Sequence, residues 1–154
     1  MKTLSIDSIS SIFAGALSEI IAKTTGLTFD ISPPEENYGF DEMTGFINLA
    51  GKNHGMVFIS AKEEAIRLIC SLMTGVSKSE ITGKDIEDTL CELVNMTAGS
   101  ARLRFNTAEQ TYTLSPPFLI RGENMSFITK KRVNVISMVL GNEEISIKLK
   151  IVFY

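Results

Sequence analysis

The fold is decided by the stretch Ala98-Gly99-Ser100-Ala101 and the Ser115-Pro116-Pro117 that follows it. Both have counterparts near the start of the chain: Ala14-Gly15-Ala16-Leu17 lies 84 residues earlier, and Ser32-Pro33-Pro34 lies 83 residues earlier. Each Ser-Pro-Pro follows a helix-like segment and precedes strand-like segments. The sequence therefore predicts two copies of helix, Ser-Pro-Pro loop and hairpin. Two such halves predict an α+β fold with one antiparallel sheet and both long helices packed on one face.

Helical periodicity and turn signals locate the first two helices. The first is predicted from about Ser8 to Thr24, with Asp7 able to cap its start and Gly26 marking its end. A shorter helix is predicted from Lys62 to Met73, and Gly75 can stop it. Its inward side chains are expected to be Ala65, Ile66, Ile69 and Leu72.

Strand signals surround these helices. Met43–Ala50 and Met56–Ala61 are predicted to form a hairpin, and a further strand is predicted near Gln110–Leu114. Alternating apolar residues then predict a long hairpin over residues 133–140 and 145–153, with one face on the core. Lys148 and Lys150 fall between the apolar residues of its second strand.

The third helix is the most informative segment. It is predicted from about Gly83 to Phe105, and Thr82 with Asp85 can form a capping box in which Asp replaces the usual Glu. At about 100° per residue, one side of this helix is apolar and packs on the sheet. Its members are Ile86, Leu90, Leu93, Val94, Thr97, Ala101 and Phe105. The opposite stripe consists of Asp88, Glu92, Asn95, Gly99 and Arg102.

A polar stripe on a helix is usually no more than a solvated face. Here Asn95 is a poor helix former, and Gly99 costs about 1 kcal/mol relative to Ala inside a helix. Two unfavourable residues on one exposed face suggest that a partner docks there, because Gly99 would let its atoms come close. Glu92 and Asn95 are three residues apart, so their side chains can project together.

The run Asp88-Thr-Leu-Cys-Glu92-Leu-Val-Asn95-Met-Thr-Ala-Gly99, with Pro116-Pro117 beyond it, resembles the signature of the CheX and CheC chemotaxis phosphatases. That signature has an Asp or Ser, a Glu four residues later, an Asn three further on, and a later proline. The helix-to-hairpin duplication is also similar to the CheC-like fold. The resemblance covers nearly the whole chain and is strongest to CheX, although the Asn-to-Pro spacing is slightly shorter here.

The resemblance implies a function. Such proteins remove the phosphoryl group from an aspartate of the response regulator CheY. Glu92 would pair with the regulator's active-site lysine, and Asn95 would orient the attacking water; these are the expected catalytic residues. Asp88, Gly99 and Arg102 are the expected partner-binding residues. No cofactor of its own is expected, because Mg²⁺ would belong to the partner regulator.

The first half of the chain lacks this pair. Aligning Ala14-Gly15 with Ala98-Gly99 puts Ser8 opposite Glu92 and Ser11 opposite Asn95. Neither serine can perform the role of its counterpart. We therefore expect one active face per chain, as in CheX. The resemblance also implies a homodimer with sheets joined edge to edge. The strands near Ile151–Tyr154 or Met138–Leu140 would suit this, if they are open edges.

Composition bounds the other possibilities. A length of 154 residues fits a single CheX-like domain over residues 1–154, and a net charge of −3 argues against a nucleic-acid partner. The two cysteines, no apparent signal peptide and no long apolar run suggest a cytoplasmic protein without membrane insertion. One histidine and two distant cysteines predict no metal site. The alternatives are a non-catalytic module that binds a receiver domain or a flagellar switch protein, and a small-molecule enzyme of unrelated fold.

Overall fold

The computed structural model describes residues 5–33, 39–51, 54–105, 111–130 and 133–154, so that Pro34 and Gln110 lie outside the described residues. The helices are α1 (Ile6–Thr25), α2 (Glu63–Thr74) and α3 (Gly83–Leu103), with a 3-10 turn at Lys78–Glu80. The strands are β1 (Asp30–Ile31), β2 (Met43–Gly51), β3 (Gly55–Ala61), β4 (Tyr112–Leu114), β5 (Phe118–Arg121), β6 (Asn134–Gly141) and β7 (Ser146–Phe153).

Within the described residues, the strands form one seven-stranded antiparallel sheet. Its order is β1-β6-β7-β3-β2-β4, and β5 also pairs with β2. The hairpin β2–β3 and the hairpin β6–β7 meet at the centre of the sheet, where Ile59 of β3 faces Leu149 of β7. This confirms the prediction of two halves that join their hairpins in one antiparallel sheet.

The outer strands are exchanged between the halves. β1, from the first half, pairs with β6 of the second, whereas β4 and β5 of the second half pair with β2 of the first. The expectation that Ile151–Tyr154 could provide an open edge was wrong, because β7 lies between β3 and β6. At the other expected edge, Leu140 of β6 already faces Ile31 of β1.

Local signals set the helix ends. α1 begins at Ile6 because Ser5, and not the predicted Asp7, is its N-cap and accepts a hydrogen bond from the Ser8 backbone N–H. Asp7 lies in the first turn. Gly26 and Gly75 end α1 and α2 with φ angles of 78° and 75°, in the left-handed region that glycine adopts without strain.

The helices cover one face of the sheet, and the main core lies between the two layers. Leu72 of α2 was predicted to point inward but is 42% exposed, since it lies in the last turn before Gly75, at the margin of the core. Inward residues Ala65, Ile66 and Ile69 are buried as predicted.

The other face of the sheet is also partly covered. Lys150, which alternation places opposite the core, is only 4% exposed, and its Nζ lies 4.7 Å from the centre of the Phe40 ring. The neighbouring Lys148 donates to the Gly39 carbonyl and pairs with Asp41. Burial lowers the pKa of Lys150, with a smaller effect from Lys148. None of the described helices is both long and apolar enough to cross a membrane.

Candidate functional site

A capping box begins α3. Thr82 Oγ1 accepts a hydrogen bond from the Asp85 N–H at 3.2 Å, and the Thr82 N–H donates to Asp85 Oδ2 at 2.9 Å. This confirms the prediction and lowers the pKa of the Asp85 carboxyl, chiefly through the backbone N–H of Thr82. The helix ends at Leu103, two residues before the predicted end at Phe105. Reciprocal capping therefore fixes the start of the helix that carries the candidate site.

The buried side of α3 lies directly on β2. A Cβ on Gly45 of β2 would lie 2.9 Å from Val94 Cγ2 and 3.1 Å from Leu90 Cγ, so the helix sits where only a glycine leaves room. Buried α3 side chains are Ile86, Thr89, Leu90, Leu93, Val94, Thr97, Ala98 and Ala101. The predicted apolar side is thus confirmed within the helix, and its opposite side must face outward.

A tyrosine of β4 holds the far end of α3. Tyr112 Oη donates to the Ala98 carbonyl at 3.1 Å, beside Gly99. Its ring packs against Phe13 of α1 and against Phe105, which follows the helix. Burial raises the pKa of Tyr112 far above its usual value. This contact fixes the turn of α3 that contains Gly99.

The predicted stripe lies on the exposed side of α3. Asp88, Glu92, Asn95 and Arg102 are all exposed, and Gly99 is half-buried. Across the part of the chain that the structure describes, none of these side chains makes a hydrogen bond or ion pair. Helical spacing places Glu92 and Asn95 as neighbours, one turn from Asp88 on one side and from Gly99 on the other. A carboxylate and an amide are therefore available together to an incoming molecule.

Charged residues beside the stripe are engaged with one another. Arg121 of β5 pairs with Glu87 at 3.2 Å and with Glu63 at 3.0 Å. At the other end of α3, Arg104 pairs with Glu19 of α1, which also binds Lys23. Lys23 and then Arg104 lower the pKa of Glu19. These ion pairs connect α3 to its neighbours on both flanks and leave the stripe between them uncovered.

The two aligned glycines have different surroundings. A Cβ on Gly15 would lie 3.3 Å from Arg104 Nη1, so the guanidinium occupies the space beside that glycine. A Cβ on Gly99 would meet nothing within 4 Å. No contact of the described residues accounts for a glycine at position 99, whereas Arg104 accounts for the one at position 15.

Two residues beside the stripe were missed by the sequence analysis. Cys91 is only partly buried, whereas Cys70 is buried. Burial, then Asp88 and Glu87, raise the pKa of the Cys91 thiol. Leu103 was assigned to neither face and is 82% exposed. The same projection at about 100° per residue puts both within about 80° of Asn95, so complete use of the periodicity would have found them.

No metal-binding cluster accompanies the stripe: among the described residues, no group of three or more His, Cys, Asp or Glu side chains is arranged to hold an ion.

Comparison with known proteins places this helix in a family context. The sequence profile of the family described as chemotaxis phosphatase CheX matches residues 43–140, which include all of α3. The comparison with curated proteins gives no significant match.

Solved structures share the fold. A CheC-like superfamily protein from Shewanella sp. PV-4 superposes with a TM-score of 0.84 at 19% identity, covering 98% of this chain and 99% of that one. The chemotaxis protein CheX from Vibrio vulnificus gives 0.84 at 17% identity, with 95% and 99% covered. A CheX–CheY–BeF3–Mg²⁺ complex from Borrelia burgdorferi gives 0.79 at 17% identity, with 94% and 97% covered. The predicted CheC-like α+β fold is therefore confirmed.

Proposed function

Because the chain belongs to the CheX family of chemotaxis phosphatases, we propose that it removes the phosphoryl group from a CheY-like receiver domain, using Glu92 and Asn95. A single observation carries the proposal: both side chains are exposed and without a partner among the described residues, on a helix inside the matched region. The relative solved as a complex with CheY, BeF3 and Mg²⁺ supports a receiver domain as the partner.

The proposed reaction is hydrolysis of an aspartyl phosphate. Water attacks phosphorus, the bond from phosphorus to the aspartate oxygen breaks, and the products are inorganic phosphate and the aspartate carboxylate. Such transfers depend on alignment and charge stabilisation more than on covalent chemistry from the protein. An acyl phosphate also hydrolyses unaided, so a second protein needs only to position the water.

Asn95 suits the positioning of water. Its uncharged amide has a carbonyl oxygen that accepts and an NH₂ group that donates, so it can hold one water by both. Glu92, its neighbour on the helix, would hold the receiver's lysine by a charge-assisted hydrogen bond. The receiver would supply Mg²⁺ and most of the active-site residues, and this chain would complete the active site.

The first half of the chain supports one active face rather than two. In the sequence alignment of the two halves, Ser8 and Ser11 of α1 correspond to Glu92 and Asn95 of α3, and Ser8 Oγ is engaged with Ser5 Oγ at 2.9 Å. Arg104 lies beside Gly15, whereas the space beside Gly99 is open. A receiver bound to α1 would contact neither an amide equivalent to that of Asn95 nor an open glycine equivalent to Gly99.

The decisive experiment follows phosphate release from a CheY-like receiver charged with a small-molecule phosphodonor. Wild-type protein should shorten the lifetime of the phosphorylated receiver, and Asn95→Ala should still bind but lose about a hundredfold or more of the acceleration. Glu92→Ala should lose affinity as well as rate, because it removes a charged contact. Ser11→Ala, the matched change on α1, should behave as wild type. Circular dichroism would show that each variant is folded.

The same experiment would distinguish the phosphatase from the main alternative, a non-catalytic module that binds a receiver domain. If wild type binds the phosphorylated receiver but leaves its lifetime unchanged, the protein is a receiver-binding module and the phosphatase proposal is wrong. Equal loss of rate in Ser11→Ala and Asn95→Ala would contradict the assignment to α3.

The homodimer stays a prediction. Its support is the edge strand β5, which carries Phe118 at 46% exposure and Ile120 at 38%. Within the described part of the sheet, β5 pairs with β2 alone. Exposed apolar residues on such an edge favour pairing with a second chain. Light scattering would give the molar mass in solution, and a mass equal to one chain at working concentration would contradict the expectation.

A further inference from the structure

Leu103 is the most exposed large apolar side chain among the described residues, at 82%. A lone exposed leucine is common on protein surfaces, so exposure alone says little. What distinguishes Leu103 is its neighbour one turn earlier. Helical side chains lean toward the N-terminus and over the residue four positions before them, which here is Gly99.

Gly99 gives Leu103 nothing to pack against. A Cβ at this position would meet no atom within 4 Å, so even the Leu103 side chain leaves the space open. An apolar side chain thus stands beside a bare stretch of helix backbone. Together they form a shallow apolar step, the Gly99–Leu103 step, at the C-terminal end of the exposed face of α3.

The step lies within reach of whatever sits on Asn95. At about 100° per residue, Leu103 projects within about 20° of Glu92 around the helix. Leu103 follows Asn95 by two turns, a rise of about 12 Å. A standard protein interface covers about 800 Å² on each partner, so it extends farther than this distance. A receiver seated on Asn95 would therefore also cover Leu103.

Resting on the proposed function, we propose that the Gly99–Leu103 step is the apolar anchor of the receiver, taking up an aliphatic or aromatic side chain of that domain. The polar side chains of the stripe would orient the receiver and the attacking water. Most of the affinity of an interface, by contrast, comes from a few buried contacts near its centre. Within α3, Asp88 and Glu92 lie toward one end of the stripe, and Arg102 lies beside Leu103 at the other. Leu103 supplies the one large apolar side chain on this charged face.

The test compares Leu103→Ser, Leu103→Met and Leu72→Ser. Leu72 is a matched control because it is another exposed leucine near the end of a helix, 42% exposed on α2. Binding is measured by calorimetry to a CheY-like receiver that carries beryllofluoride and Mg²⁺, a stable mimic of the phosphoryl group. Phosphate release is measured in parallel over a range of receiver concentrations.

Leu103→Ser should raise Kd and KM together by about tenfold, as loss of one apolar anchor typically does. Leu103→Met should restore binding, because methionine keeps the apolar volume. Leu72→Ser should bind as wild type does.

Failure of the anchor can be told from failure of the function. If Leu103→Ser binds as tightly as wild type while Asn95→Ala loses turnover, the proposal that Leu103 anchors the receiver is wrong, and the proposed phosphatase function is retained. Equal weakening by Leu103→Ser and Leu72→Ser would also overturn it, since the effect would then be unspecific. If wild type neither binds nor dephosphorylates the receiver, both proposals fall.

Discussion

Ser32 and Ser115 make the same pair of hydrogen bonds near opposite edges of the sheet. Ser32 donates its N–H to the Val139 carbonyl at 2.9 Å, and its Oγ accepts from the Val139 N–H at 2.9 Å. Ser115 does the same with Asn48, at 3.1 Å and 2.9 Å. In both cases a side-chain oxygen replaces a backbone carbonyl and extends the strand ladder by one residue. The Ser-Pro-Pro repeat thus marks where each half crosses to the other.

We expect Ser32→Ala and Ser115→Ala to lower the free energy of unfolding by similar amounts, about 1 kcal/mol each, because each leaves a partly buried N–H without its acceptor. Val139 and Asn48 are separated by β7 and β3, a distance of about 14 Å across the sheet. The double variant should therefore show additive losses. Urea unfolding measures all three, and a coupling above about 0.5 kcal/mol would contradict the independence of the two crossings.

Gly99→Ala should have opposite effects on stability and binding. Alanine is favoured over glycine in a helix interior by about 1 kcal/mol, and its Cβ would enter open space, so the unfolding midpoint in urea should rise. Affinity for the phosphorylated receiver should fall, because the added methyl would stand where the partner approaches. Gly83→Ala adds the same methyl off the stripe and should leave affinity unchanged. A stable Gly99→Ala variant with wild-type affinity would remove Gly99 from the interface.

Gly45→Ala should weaken both folding and activity. The new Cβ would lie 2.9 Å from Val94 Cγ2 and 3.1 Å from Leu90 Cγ, and these branched side chains cannot easily move aside. We expect a loss of about 1–3 kcal/mol in the free energy of unfolding, because overpacking pushes α3 from the sheet. The displaced helix should lose phosphatase rate even where the variant is fully folded. Wild-type stability and rate would mean that α3 has freedom to adjust on β2.

The capping box makes stability dependent on pH. Asp85 has a folded pKa below its usual 3.8, so its contribution is complete above that value and is lost as pH falls through the lower folded pKa. The difference in free energy of unfolding between wild type and Asp85→Ala should therefore be largest near neutral pH. It should shrink at pH values below 3.8. A difference that stays constant from pH 7 to about pH 3 would contradict the role of the carboxylate.

Cys91 offers a label beside the stripe. Its raised pKa means that a thiol reagent should modify it more slowly at pH 7 than it modifies free cysteine, and the rate should keep rising to higher pH. Cys70 is 3% exposed and should react only on unfolding. Mass spectrometry distinguishes the two sites, and a bound phosphorylated receiver should protect Cys91. Equal labelling with and without the receiver would place the interface elsewhere on the chain.

Features set by neighbouring residues could be predicted from the sequence. Gly26 and Gly75 end helices because their own backbone conformation allows it, and Thr82 caps α3 together with a residue three positions away. The exposed position of Glu92 and Asn95 follows from helical period alone. Their proposed chemistry came from the resemblance, since a carboxylate and an amide on a helix specify no reaction by themselves.

Apart from the joining of the two hairpins, which the repeat predicted, features set by distant residues could not be predicted. β1 is two residues long and β5 four, too short for a periodic signal, and β5 depends on pairing with β2. Lys150 alternates as a solvent-facing residue would, yet the chain near Phe40 folds over it. Whether the strand at Ile151–Tyr154 would be left as an open edge could not be predicted for the same reason, because strand order is decided by contacts across the whole chain.

The position of β7 also has a consequence for how the chain acquires its fold during synthesis. This strand is the last of the seven to leave the ribosome, yet it lies between β3 and β6 at the middle of the sheet. Until it arrives, one side of β3 has no hydrogen-bonding partner, and the nascent chain exposes an apolar strand edge. Completing the sheet then requires β7 to pair with β3, which is far away in the sequence, and such long-range pairing slows folding. An unpaired apolar edge can pair with another chain, so we expect the risk of aggregation to persist until β7 is in place.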